Sequence, residues 1–145
     1  MSSNKPPLEI LLVDDSPIDV LFFSRAVKGS GLDIQLQTLD SGQQAKDYLQ
    51  AKGQFSDRAV HPMPDLIVLD LKMPGVSGFD LLAWRKASSI FSSIPVVILS
   101  GMKDSAQAKM AAELGADKYL AKPAEPNQWK EIVQEIWEFG TQSST

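Results

Sequence analysis

The chain has 145 residues, 43% of them hydrophobic, which is enough for one packed domain and leaves little room for a second. Its formal net charge is −4 and its 14 lysines and arginines are dispersed, so no basic stripe offers the footprint that direct nucleic-acid binding needs. It has no cysteine and a single histidine, His61, which removes disulfides, thiol catalysis and nearly every zinc site and leaves oxygen ligands for any metal.

The opening "MSSNKPPLEI" lacks a basic segment followed by a long apolar run, and no later run approaches the roughly 18 residues that span a bilayer. A cytoplasmic chain without a membrane partner is expected. In chain order, "LEILLVDD" (8–15), "LDIQLQTL" (32–39), "DLIVLD" (65–70), "IPVVILS" (94–100) and "DKYLAK" (117–122) read as strands. The first, third and fourth are nearly unbroken Ile, Leu and Val, as expected of central strands covered on both faces, which leaves the other two nearer the edges. Helices are expected over 17–29, closing at Gly29; 42–52, closing at Gly53; 78–88; 104–114, closing at Gly115; and 126–139, closing at Gly140.

Five repeats of strand then helix predict an α/β fold: a five-stranded parallel sheet with right-handed crossovers and helices on both faces, a (βα)5 flavodoxin-like doubly wound sandwich. The domain is expected over 8–139, with tails at 1–7 and 140–145. The segment "KGQFSDRAVHPMPD" (52–65) is longer than an ordinary connection and reads as a surface excursion that offers a partner surface. In the last helix Trp129, Ile132, Val133, Ile136 and Trp137 recur at helical spacing. Most of that stripe is expected in the core, with Trp137 or Phe139 left to face a partner or a second copy.

In an open parallel sheet, ligands bind outside the carboxyl ends of the strands, beside the point where strand order reverses. Four of the predicted strands deliver a polar group there: Asp14 and Asp15, Asp70, Ser100, and Lys122 followed by Pro123. Three carboxylates at one rim repel one another unless a cation sits among them, and Mg²⁺ suits the set better than Ca²⁺, which wants more protein oxygens. A lysine and a hydroxyl at the same rim complete a cradle for phosphoryl oxygens. Each element also has a plainer reading. The Asp pair and Ser16-Pro17 suit a helix N-cap, Ser100-Gly101 suits a turn, and Lys122 suits a solvated surface.

The pattern resembles the receiver domain of two-component response regulators, in the chemotaxis-type single-domain form. The likeness runs from about residue 8 to 139 and rests on "VDD", "DLKMPGVSG", "ILSG" and "YLAKP" in that order and spacing. The resemblance implies that Asp70 is the phosphoacceptor and that Asp15 and Asp70 hold Mg²⁺ directly. Asp14 would then act through water, and the backbone carbonyl of Lys72 would add a ligand. Lys122 and Ser100 would each contact a phosphoryl oxygen, and Ser100 with Tyr119 would form the switch.

It implies as partners a sensor histidine kinase or phosphotransfer protein and a downstream protein target, with a homodimer through the last two helices and the fifth strand. No output domain is expected, and the chain would be a self-phosphorylating and self-dephosphorylating signalling module rather than a turnover enzyme. Lys72 and Met102 stand where the family tunes attack of water, and neither orients water well, so a persistent phosphoryl state is expected. The long loop before the third strand is similar to that of stand-alone regulators serving phytochrome-type kinases.

Two rivals stay in view. A hydrolase of the haloacid dehalogenase type also uses an aspartyl nucleophile on a doubly wound sheet, but wants a second Asp where this chain has Lys72. A receiver fold used as a phosphorylation-independent adaptor would leave an intact site unused.

Overall fold

Three apolar runs make the centre of the sheet in the computed structural model, which describes residues 6–101 and 104–143. Strands β1 (Leu8–Val13), β3 (Leu66–Leu69) and β4 (Val96–Ser100) are buried almost throughout. β2 (Ile34–Leu39) alternates between half-buried and exposed residues until Leu39, and β5 (Lys118–Ala121) is half-buried along its length. These are the two edges: the strand order is β2-β1-β3-β4-β5 and every pairing is parallel. The predicted architecture and the split between central and edge strands are both observed. Each fully buried Leu, Ile or Val contributes about 1.5–3 kcal/mol, which is why the run-on apolar strands occupy the middle.

Helices α1 (Pro17–Ser30) and α5 (Trp129–Ser143) cover one face, and α2 (Gly42–Leu49), α3 (Gly78–Lys86) and α4 (Ser105–Glu113) the other. Phe23 and Val27 of α1 meet Trp129, Val133 and Ile136 of α5 over Ile10, Leu12, Val68 and Val97. Trp129 packs edge-on against Phe23, with ring centroids 6.5 Å apart. On the opposite face Tyr48, Leu49, Leu81 and Leu82 lie over Leu11, Val13, Ile67 and Leu69. α4 is thinly anchored, with Ala111 its one buried residue.

The helix bounds differ from expectation, by one or two residues at α3 and α4 and more tellingly at α1, α2 and α5. α1 passes Gly29 and ends at Ser30, because the left-handed cap falls at Gly31, with φ 72°. α2 ends at Leu49, well before Gly53, since Ala51 already turns into the left-handed region at φ 55°. α5 begins after a short 3-10 turn at Pro126–Gln128 and runs through Gly140 to Ser143. Gly140 is no terminator: it is buried against Leu8 and Leu66, where a Cβ would lie 2.8 Å from a Leu8 methyl carbon. Trp137 and Phe139 are half-buried and pack on the α1–α5 cluster.

The 52–65 connection is tied down rather than loose. Arg58 Nη1 donates to the carbonyls of Tyr48 and His61 at 2.9 and 3.1 Å, and its Nη2 to that of Leu49 at 2.6 Å. Tyr48 Oη donates to the Pro62 carbonyl at 2.9 Å, while His61 meets the Tyr48 and Phe55 rings edge-on and Phe55 lies tilted against Tyr48. Arg58 thereby gives the Leu49 carbonyl at the end of α2 a donor and adds a second donor to that of Tyr48, which also accepts the Ala51 N–H at 3.1 Å. Among the described residues no helix is long and apolar enough to cross a membrane.

Candidate functional site

The strand order reverses between β1 and β3, which puts a crevice at their carboxyl ends. The Asp14 N–H donates to the Leu39 carbonyl and the Asp70 N–H to the Val13 carbonyl, each at 3.0 Å, so both aspartates sit one residue beyond the ladder on rigid backbone. Asp14 and Asp70 are only 3% and 7% exposed, whereas Asp15 stands more open to solvent. One carboxylate oxygen from each of Asp14, Asp15 and Asp70 lies within 4.8 Å of the others. Three hard oxygen donors converging at that range fit a divalent cation, and the donor set suits Mg²⁺ or Mn²⁺ rather than a thiophilic ion.

Lys122 follows the end of β5, where its N–H donates to the Ser100 carbonyl at 2.9 Å. Its ammonium meets Asp14 at 2.9 Å, Asp70 at 3.3 Å and Asp19 at 2.8 Å. Burial works against the charged ammonium, but hydrogen bonds to Asp19 and Asp14 and the charges of Asp14 and Asp70 outweigh it, so its pKa is raised. Lys122 is therefore a fixed cation and no proton donor at neutral pH. Burial pushes the Asp70 carboxyl above the ordinary carboxylate value; Lys122 pulls it down and Asp14 pushes it up again. A carboxylate destabilised in that way gains from any further cation placed beside it.

The turn after β3 leads the chain from Asp70 into α3. Met73 is buried beneath it, Gly75 takes a left-handed φ of 72°, and Ser77 starts α3 with a reciprocal capping box to Asp80. Lys72 is exposed and lines, with Pro74, Phe79 and Gln107, a cleft of about 490 Å³. A second cleft, of about 450 Å³, runs from Asp14 and Asp15 toward Asp40, Gln44 and Gln54. Ser100 is 1% exposed at the end of β4, and Tyr119 is half-buried on β5 against the α2–α4 face of the core.

Asp14, Asp15, Asp70 and Lys122 thus gather at the carboxyl ends of β1, β3 and β5, with Ser100 at the end of β4; Lys72 lines the neighbouring cleft, and Tyr119 lies back along β5, opposite Ile98. Met102 lies outside the described residues. The residue that the sequence did not single out is Asp19. Its signal was the Ser-x-x-Asp pattern of a helix N-terminus, which reads as a local cap and hides a carboxylate that reaches across to β5.

The response regulator receiver domain family matches residues 10–134. The two-component response regulator ARR15 of Arabidopsis thaliana is 35% identical over 136 residues, covering 91% of this chain and 65% of that protein, so the chain spans just under two-thirds of that relative. The crystal structure of the phosphorylated cyanobacterial phytochrome response regulator RcpA matches with a TM-score of 0.86 at 30% identity, over 96% of this chain and 97% of that one. The Mn²⁺-bound form of response regulator Rcp1 matches with a TM-score of 0.81 at 33% identity, over 92% of this chain and 94% of that one. With an acidic crevice at the switch point and a lysine set into it, the chain belongs to the receiver domain family of two-component response regulators.

Proposed function

We propose that the chain accepts a phosphoryl group from a sensor histidine kinase, or from a phosphotransfer protein, onto Asp70 and signals by protein contact in the cytoplasm. The observation that carries this reading is the Asp70 carboxylate fixed at a strand end, with two further carboxylates within 4.8 Å and the Lys122 ammonium at 3.3 Å. An Asp70 oxygen attacks the phosphorus of a phosphohistidine; the P–O bond forms as the P–N bond breaks, and the electron pair returns to the imidazole. Phosphoryl transfer needs orientation and charge neutralisation more than covalent help. Rigid β3 supplies the first. Lys122 supplies part of the second by binding a phosphoryl oxygen, and the Ser100 hydroxyl binds another.

Asp15 and Asp70 would hold Mg²⁺, with Asp14 acting through water and the Lys72 carbonyl completing the protein ligands. When bound there, the ion supplies further neutralisation of phosphoryl charge. In this reading the chain is a signalling module that loads and unloads itself, not a turnover enzyme. Ser100 moving toward the phosphoryl group leaves room for the Tyr119 ring, and the face of α4, β5 and α5 changes shape. The thin anchoring of α4 supports that choice of face, which would receive a downstream partner or a second copy of the chain. The kinase we assign is phytochrome-type, on the likeness to the phytochrome response regulator RcpA over 96% of this chain. A basic, exposed Lys72 in place of a water-orienting group favours a long-lived phosphoryl state.

The test is incubation with Mg²⁺ and acetyl phosphate followed by intact mass. A phosphoryl adduct that needs Mg²⁺ and is lost in Asp70→Asn supports the reading. A folded, Mg²⁺-binding chain that takes no adduct leaves the adaptor reading in its place.

A further inference from the structure

The helices α1 and α3 begin with the same Ser-x-x-Asp pattern and use it differently. At α3 the cap is reciprocal: Asp80 N–H donates to Ser77 Oγ at 3.1 Å, and Ser77 N–H donates to Asp80 Oδ2 at 3.0 Å. At α1, Asp19 N–H donates to Ser16 Oγ at 3.4 Å, but Ser16 N–H is taken by Asp14 Oδ1 at 2.9 Å. The Asp19 carboxylate is left out of its own cap. It reaches instead to Lys122, at 2.8 Å the shortest of the three contacts the ammonium makes. Asp19 also stands apart from the cation-binding group, which consists of Asp14, Asp15 and Asp70.

We propose that Asp19 is a positioning residue: it receives the Lys122 ammonium when a divalent cation occupies Asp14, Asp15 and Asp70. The proposal rests on reading this rim as a cation-assisted phosphoacceptor site. The ammonium and a divalent cation repel each other and compete for Asp14 and Asp70. The lysine side chain is 12% exposed, so withdrawing from those two carboxylates without another counter-ion would leave a largely buried charge unpaired. Asp19 removes that penalty. It lets the lysine yield to the cation yet remain at the rim, where a phosphoryl oxygen can later draw it back. With Asp19 neutralised, Lys122 stays on Asp14 and Asp70 and acts as a competitor of the metal.

The test is Mn²⁺ binding by the full chain, followed through the electron paramagnetic resonance of the free ion. The proteins are the native chain, Asp19→Asn, Asp19→Glu, Asp40→Asn, Lys122→Met and the Asp19→Asn/Lys122→Met pair. Asp40 lines the cleft beside Asp14 and Asp15, so Asp40→Asn measures the loss of one nearby charge. Asp19→Asn is expected to weaken Mn²⁺ binding roughly five- to tenfold, more than Asp40→Asn does. With Lys122→Met in place, the loss shrinks to the size seen for Asp40→Asn. Asp19→Glu recovers part of the affinity.

A second readout is the ¹⁵N resonance of the Lys122 ammonium, which shifts on adding Mg²⁺ to the native chain and stays in place in Asp19→Asn. Equal weakening by Asp19→Asn with and without Lys122 would overturn the proposal, as would an ammonium signal indifferent to Asp19. Coupled Mn²⁺ binding in a chain that takes no phosphoryl group would sink the phosphoacceptor reading and keep Asp19 in its role. A phosphorylated Asp70 with uncoupled Asp19 would do the reverse.

Discussion

Gly78 packs against the backbone of Asp70 so closely that a Cβ there would overlap the Asp70 carbonyl oxygen and lie 2.7 Å from the Leu71 Cα. The Gly78 N–H donates to the Leu71 carbonyl at 3.0 Å, so the first turn of α3 is laid directly on the end of β3. Glycine to alanine in a helix ordinarily stabilises by about 0.5–1 kcal/mol, but here the obstructing atoms are backbone and have nowhere to go. Gly78→Ala is expected to lower stability by about 1–3 kcal/mol in denaturant melts. Acetyl-phosphate labelling of Asp70, measured per folded molecule, should slow as well. Native stability with native labelling would mean that the strand end tolerates being moved.

Arg85 makes a separate prediction because it works at the opposite end of the sheet. It is 5% exposed, donates to the Ile94 carbonyl from Nε and Nη2 at 2.9 and 2.6 Å, and reaches the Gly115 carbonyl at 3.4 Å. Asp117, 3.8 Å away, accepts the Val96 N–H at 2.8 Å. The guanidinium thus joins α3 to the entries of β4 and β5. Arg85→Met strands buried carbonyls and is expected to destabilise by about 2–4 kcal/mol, read from chemical denaturation. Asp70 labelling in the folded fraction should be unchanged. A labelling defect without a stability loss would place Arg85 in the site's machinery instead.

These two residues mark the boundary of what could be read in advance. The split between central and edge strands, and the candidate site, could be argued from Leu, Ile and Val runs ending in Asp14, Asp70 and Ser100, because burial pattern and strand-end chemistry are local signals. Gly78, Arg85 and Asp19 act through contacts with residues at least seven positions away, and a single sequence gives no distance between elements. The same reason explains α5. Gly140 looks like a stop by composition, yet its missing side chain is what lets the helix lie on Leu8 and Leu66.

The long connection before β3 should respond to Arg58. Its three hydrogen bonds to carbonyls of Tyr48, Leu49 and His61 hold residues 52–65 against α2. Arg58→Ala is expected to lower global stability by about 1–2 kcal/mol and to raise amide hydrogen exchange through this segment far more than in β1 or β3. Exchange that accelerates evenly across the chain would mean that the segment has no separate anchorage.

Asp70 gives the pH prediction. Its carboxyl is raised by burial, against the pull of Lys122, so in the metal-free protein the folded chain keeps a proton there at pH values where the unfolded chain has released it. Stability from this group therefore falls as pH rises from the ordinary aspartate value of 3.8 through the folded value, and returns on acidification. Glu9, raised by burial and by Asp65, acts in the same direction; Asp80, lowered by its Ser77 cap, acts in the opposite one. Comparing the native chain with Asp70→Asn isolates the Asp70 contribution, since the other two are common to both. Without metal, Asp70→Asn should melt a few degrees higher at neutral pH, and the gap should close as the pH falls toward 3.8. Millimolar MgCl₂ should reverse the order, because a cation bound to the folded state alone stabilises the native chain and has lost a ligand in Asp70→Asn. Calorimetry at several pH values, with and without MgCl₂, reads both effects. A gap that ignores pH would remove the buried charge as its cause, and equal stabilisation of both proteins by MgCl₂ would take Asp70 out of the cation site.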